Sequence, residues 1–148
     1  MRATTREAAV AALQGVVAGA YPWKLGPARR LKLWSDVPAA MRPACFIFEG
    51  GQELSSWSES AAPKRAMEAK LFVYLNARDP SVAGAALLNE VMDALDAALA
   101  PQGADAALGR NTLGGSVHCC RIEGKTLKDP GDLDGDALLI VPVKLILP

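Results

Sequence analysis

The chain has 148 residues, the size of one ordinary domain that buries a core without disulfide or metal staples, and we expect a single domain over 1–148. Sixteen Lys+Arg balance sixteen Asp+Glu, and this zero formal charge argues against a surface built as a whole for nucleic acid or acidic lipid. The signs are unevenly spread: +5 up to Arg42, −4 from Pro43 to Ala100 and −1 from Pro101 onward. Such a split is either a property of the solvated surface or a means for one copy's basic region to meet another's acidic one.

Three cysteines, two of them adjacent (Cys119, Cys120), make a poor disulfide framework and suggest a reducing compartment. Arg2, Arg6 and Glu7 interrupt what would have to be the apolar part of a signal peptide, so none is expected. No apolar run reaches spanning length, and no membrane association is expected.

Thr4 and Glu7 form a capping-box pair ahead of an Ala-rich helix with Val10, Leu13 and Val17 on one side, ending near Gly19. Tyr21 to Pro27 holds two prolines and a glycine and is predicted as a turn-rich connection. Arg29 to Trp34 alternates, which predicts a first strand with Leu31 and Leu33 inward and Arg30, Lys32 and Trp34 outward. Ser35 to Pro43 is a loop. Ala44 to Glu49 is a short apolar strand closed by Gly50-Gly51, and Gln52 to Lys64 is a polar loop around Trp57, a candidate contact element.

From Arg65 the period of two is clearest: Met67, Ala69, Leu71, Val73 and Leu75 share the core face, and Glu68, Lys70, Phe72 and Tyr74 the other. Asp79 as N-cap and Pro80 at the first position predict a helix to Ala100. Its stripe is Leu88, Met92, Leu95 and Leu99, widened by Leu87, Val91 and Ala98, with Asn89, Glu90, Asp93 and Asp96 facing away. Gln102 to Gly115 is a glycine-containing mobile loop, Val117 to Lys125 a strand, and Lys128 to Asp136 a turn. The last strand, Ala137 to Leu147, buries Leu139, Val141, Val143, Leu145 and Leu147, and Pro142 predicts an edge position or a bulge. These elements predict an α+β fold: a two-layer, mixed, mostly antiparallel sheet of about five strands with two helices packed on one face, in the order α-β-β-β-α-β-β.

Chemistry-bearing motifs are sparse. The run Asp129, Asp132, Asp134, Asp136 partly mimics a calcium loop, but the twelfth residue from Asp132 is Val143 where an EF-hand needs glutamate. Asp-Pro-Gly and Asp-Gly are ordinary turn formers. His118 shares a strand face with Cys120, yet same-face neighbours lie about 6.6 Å apart, too far for a hydrogen-bonded nucleophilic pair, so half-buried structural roles are expected. Zinc spacings, P-loop, GxGxxG and GxSxG are all missing from the sequence; neither metal nor cofactor is expected. Trp23, Trp34 and Trp57 fall in or beside loops, as partly buried residues or as interface anchors.

Several stretches in succession carry a resemblance: Arg29 to Pro38 (RRLKLWSDVP), Arg42 to Ala44, Ala69 to Tyr74 (AKLFVY), Leu88 to Asp96 (LNEVMDALD), Thr112 to Val117 (TLGGSV), Ile122 to Gly124, Asp129 to Asp132 (DPGD) and Ile140 to Val143. Together the chain resembles the tail terminator, or minor tail protein, family of long-tailed bacteriophages. The resemblance implies a small structural subunit, not an enzyme. Its copies would close into a hexameric ring on the head-proximal end of the virion tail, after assembly in the host cytoplasm. The ring would stop tube growth and present a joining surface to the head. Implied partners are further copies of the chain, the tail tube protein and a head-tail connector protein, with DNA passing only transiently through the lumen. Alternatives are another neck or connector protein, a thiol-dependent hydrolase using Cys119 or Cys120, and a monomeric ligand-binding domain. For a ring, the charge split and the alternation nominate Arg29, Arg30, Lys32, Trp34, Trp57, Lys64 and Arg65 as subunit-interface residues.

Overall fold

A computed structural model describes residues 5–55 and 64–147. It is an α+β fold in which two main helices cover one face of a mixed, curled sheet. The strands are β1 (Leu25–Ala28), β2 (Ala44–Ser55), β3 (Lys64–Asn76), β4 (Cys119–Ile122), β5 (Leu127–Asp129) and β6 (Asp136–Ile146), laid out β1-β2-β3-β6-β4 with β5 also on β6. Only β1 and β2 run parallel. The sheet thus has one strand more than the five predicted: β1 and β5 form where a turn-rich connection and the start of the Lys128 to Asp136 turn were expected, while the expected Arg29 to Trp34 strand does not form.

The helices are α1 (Arg6–Ala20), α2 (Gly84–Leu99) and a single turn, α3 (Asp105–Leu108). Val10, Leu13 and Val17 of α1 and Leu88, Val91, Leu95 and Leu99 of α2 are buried against Leu71, Val73, Leu139 and Val141 of the two central strands. The periodicities of both helices and of β3 and β6 therefore mark the core faces correctly. Thr4 lies outside the described residues; the observed N-cap of α1 is Thr5, whose Oγ1 accepts from Ala8 N at 3.1 Å.

The sequence-based boundaries fail where the decisive contact is remote. The carboxylate of Asp79 accepts from Ser81 N at 3.0 Å and Ser81 Oγ at 2.7 Å, closing a local turn rather than capping a helix. The helix starts instead at Gly84, where a Cβ would lie 1.7 Å from the Pro130 carbonyl oxygen, so only glycine lets the two segments touch. Gly50-Gly51 does not end β2: the two glycines stand opposite Glu68 alone as a bulge, and pairing resumes at Gln52 with Met67. Pro142 is neither at an edge nor bulged. It pairs with Lys70, and its carbonyl accepts from Glu123 N at 3.2 Å, so its missing N–H faces the flank where β4 gives way to β5 and the β3 ladder loses no bond.

The connection through Gly26-Pro27 is itself a strand, at the sheet edge. Gly26 has φ +84° and a Cβ there would meet the Cys45 carbonyl oxygen at 2.1 Å, which reserves the position for glycine. Segment 102–115 holds a helical turn and is tied down: Asp105 accepts from Thr112 N and Oγ1, both at 2.8 Å, and Asn111 Nδ2 donates to the Leu99 carbonyl at 3.1 Å.

Candidate subunit interface

The segment between β1 and β2, residues 29–43, is the expected first strand and the loop after it. It forms no strand. It crosses the side of the sheet away from the helices as an arm with two 3-10 turns, Trp34–Asp36 and Ala39–Met41. Its carbonyls are captured by side chains rather than by a neighbouring strand. Tyr74 Oη donates to the Lys32 carbonyl at 2.6 Å, and Arg42 Nη2 donates to the carbonyls of Trp34 and Val37, each at 3.0 Å. Val37 is buried beneath the arm with Ala44, Phe46 and Tyr74 in a second, smaller core.

Arg42 is the anchor, and sequence reasoning assigned it no role. Its side chain is 3% exposed and donates from Nη1 to Asp136 Oδ1 at 2.5 Å, joining the arm's end to the first residue of β6. Arg42, more than any other group, holds the Asp136 carboxyl below the usual carboxylate range, against the opposing effect of desolvation; Arg78 helps at 3.5 Å. No spacing signal links two residues 94 positions apart, so only the structure exposes this pair.

With its backbone fixed, the arm presents a mixed basic and apolar surface. Arg30 and Lys32 are exposed as expected. Leu31 and Leu33 are not inward: they are 37% and 67% exposed, and Trp34 is 51% exposed. Alternation shows that two faces differ, but without a partner strand it does not bury either. Beyond the arm, Phe48 is partly exposed on the same side of the sheet and packs edge-on against Phe72 with ring centroids 6.1 Å apart.

The other nominated residues separate. Arg29 is committed within the subunit: its guanidinium pairs with Glu7 at 2.5 Å and with Glu49, fastening α1 to the end of β1 and to β2. Lys64 is exposed at the start of β3 and Arg65 is half-buried beside it. The Arg65 carbonyl accepts from Leu147 N at 2.9 Å. These two lie at the far end of β3 from Tyr74 and are not brought together with the arm. Trp57 and most of the Gln52 to Lys64 loop lie outside the described residues, while Gln52 accepts a hydrogen bond from Arg6 within β2.

The helix layer carries the opposite charge. On α2, Glu90, Asp93 and Asp96 are exposed and the helix contains no lysine or arginine. Among the described residues these carboxylates make no ion pair. On the same helix Asn89 Oδ1 accepts from Lys128 Nζ at 3.0 Å.

The remaining polar groups serve the fold. Asp129 Oδ1 accepts from Gly131 N at 3.0 Å and Asp134 Oδ1 from Asp136 N at 2.9 Å, so the aspartate run shapes its own turns. His118 is exposed just before β4 rather than half-buried, and partial desolvation, then Arg110 and Lys64, keep its imidazole below its ordinary value. All three thiols are buried, and burial pushes Cys45 and Cys120 up to about 12. At pH 8 their thiolate fraction is on the order of one in ten thousand. A disulfide-exchange reagent should therefore label these two slowly in the native chain and all three promptly in guanidinium; fast native labelling of Cys120 would contradict the packing.

A cleft of about 570 Å³ lies between Val16 of α1, the end of α2 and segment 102–115, but Asp105, Asn111 and Thr112 in its wall already bond to one another or to the backbone. No helix among the described residues is long and apolar enough to cross a membrane. No protein-family model matches the chain, and no curated protein matches it either.

Proposed function

We propose that this protein is a structural virion subunit that caps a bacteriophage tail tube as a ring of identical copies, six by the family resemblance, ending tube growth and forming the head-proximal joining surface. The observation that carries this is the arm: a segment with its backbone locked by Arg42 and Tyr74 that nevertheless holds Leu31, Leu33 and Trp34 out to solvent beside Arg30 and Lys32. A fixed backbone with large apolar side chains turned outward suits a protein contact, because little ordering entropy remains to be lost when it docks. The partners in this reading are further copies of the chain, the tail tube protein and a connector, with DNA in the lumen only during passage.

A thiol hydrolase using Cys119 or Cys120 finds no support in the geometry, since both thiols are buried, Cys120 holds its proton, and His118 is exposed to solvent. The test is direct. Negative-stain images of the purified protein should show rings with a central hole, and adding it to polymerising tail tubes should cap their length. Tubes that grow equally long with and without it would refute the reading.

A further inference from the structure

The geometry points to one specific contact between copies: the arm of one subunit, through Arg30 and Lys32 with Leu31, Leu33 and Trp34, docks on the acidic outer face of α2 in the next, through Glu90, Asp93 and Asp96. This rests on the reading above that copies of the chain associate, and adds which two surfaces meet.

Three observations carry it. The first is complementarity of sign between two exposed surfaces, neither of which is neutralised internally. Arg29, which the sequence placed with this group, is taken by Glu7 and Glu49, whereas Arg30 and Lys32 make no ion pair among the described residues. The second is placement. The arm lies on the side of the sheet opposite the helices, with Tyr74 and Arg42 holding it there, while α2 packs on the other side. The two surfaces therefore cannot satisfy each other within one chain. A contact between different patches is heterologous, and its repetition closes a ring or runs on as a polymer.

The third concerns cost. Asp93 and Asp96 sit in the C-terminal half of α2, where carboxylates oppose the helix dipole and cations are preferred. No cation four residues on offsets Glu90, Asp93 or Asp96, because Ala94, Ala97 and Ala100 occupy those positions. Negative charge kept against local preference is explained by a partner that supplies the cations. Ala86 and Ala97, exposed above and below Glu90 and Asp93 on the same helical line, leave room for Leu33 and Trp34 to approach closely.

Charge exchange tests this in sedimentation. The parent should assemble, and assembly should weaken as salt is raised. Arg30→Glu with Lys32→Glu sets like charges together and should weaken association at least about a hundredfold, and so should Glu90→Lys with Asp93→Lys and Asp96→Lys. Mixed one to one, the two variants again offer opposite charges at every contact and should recover alternating assemblies, which also shows that both are folded. If both variants assemble like the parent, or if each fails and the mixture does not recover, the contact lies elsewhere, although the ring itself stands. A parent that is monomeric at all concentrations defeats both this contact and the ring. A monomeric parent that shifts duplex DNA through Arg30 and Lys32 assigns the arm to a polyanion instead. Assembly through these surfaces without any effect on tube length would keep the contact and refute only the capping function.

Discussion

Arg42→Ala should destabilise the protein by about 3–5 kcal/mol in denaturant melts, the largest loss expected from any single polar side chain here. The guanidinium is buried and serves Asp136, Val37 and Trp34 at once, so truncation leaves a half-buried carboxylate with only Arg78 at 3.5 Å, takes the side-chain donor from the Val37 carbonyl, and leaves the Trp34 carbonyl with the Val37 N–H at 3.2 Å. Arg42→Lys should recover only part of the loss, because an ammonium does not reproduce the planar fork that reaches three acceptors. A pH series checks the same pair. Arg42 holds the folded carboxyl of Asp136 low, so the unfolded chain takes up that proton first as pH falls. The contribution is complete above the unfolded value of about 3.9 and is lost as pH drops through the lower folded value. Asp136→Asn should therefore lower the melting temperature at pH 7 and make the acid decline below about pH 4 shallower than in the parent. Parallel acid limbs in the two proteins would show that Asp136 does not drive the decline.

Leu95→Ala should cost about 2–5 kcal/mol, since the side chain is fully buried between α2 and the sheet and its removal leaves a cavity that a packed interior fills poorly. Asp93→Ala, two residues away on the exposed side, should stay within about 0.5 kcal/mol in the isolated subunit. The pair separates folding from association: the first variant loses stability in melts, whereas the second melts normally and should only weaken association, by less than the triple charge reversal does. Equal melting losses would mean that α2 is rotated from the orientation described.

What the sequence showed and what it hid divide along physical lines. Val73 and Leu139 were assignable because a period of two or 3.6 is a property of neighbouring residues, and burial follows it wherever one face meets a core. Leu31 and Leu33 were misplaced because alternation does not say which face is covered, and here the backbone partners are Tyr74 and Arg42 side chains. Pro142 was sent to an edge because its compensation, a gap between two strands on the same flank, depends on the register of β4 and β5. Gly84 had no local signal at all, since its reason is the Pro130 carbonyl. The interface follows the same pattern. The charge split was visible as composition, but the withdrawal of Arg29 into an internal pair, and the assignment of acidity to α2, needed the fold.

The sheet's central strands are β3 and β6, and β6 is synthesised after every other described strand. While a ribosome is still making the chain, β3 has β2 on one side and a bare ladder on the other, with eleven residues awaiting partners from Ala66 to Asn76. Neither helix is able to complete its core until Leu139 and Val141 arrive. The sheet is therefore closed only once β6 has emerged, through contacts of long sequence separation, which form slowly. Until then the nascent chain exposes a long apolar strand edge, the kind of surface that chaperones must shield and that captures other unfinished copies. A shortened chain lacking β6 should accumulate in the insoluble fraction of an expression host, however intact its remaining elements.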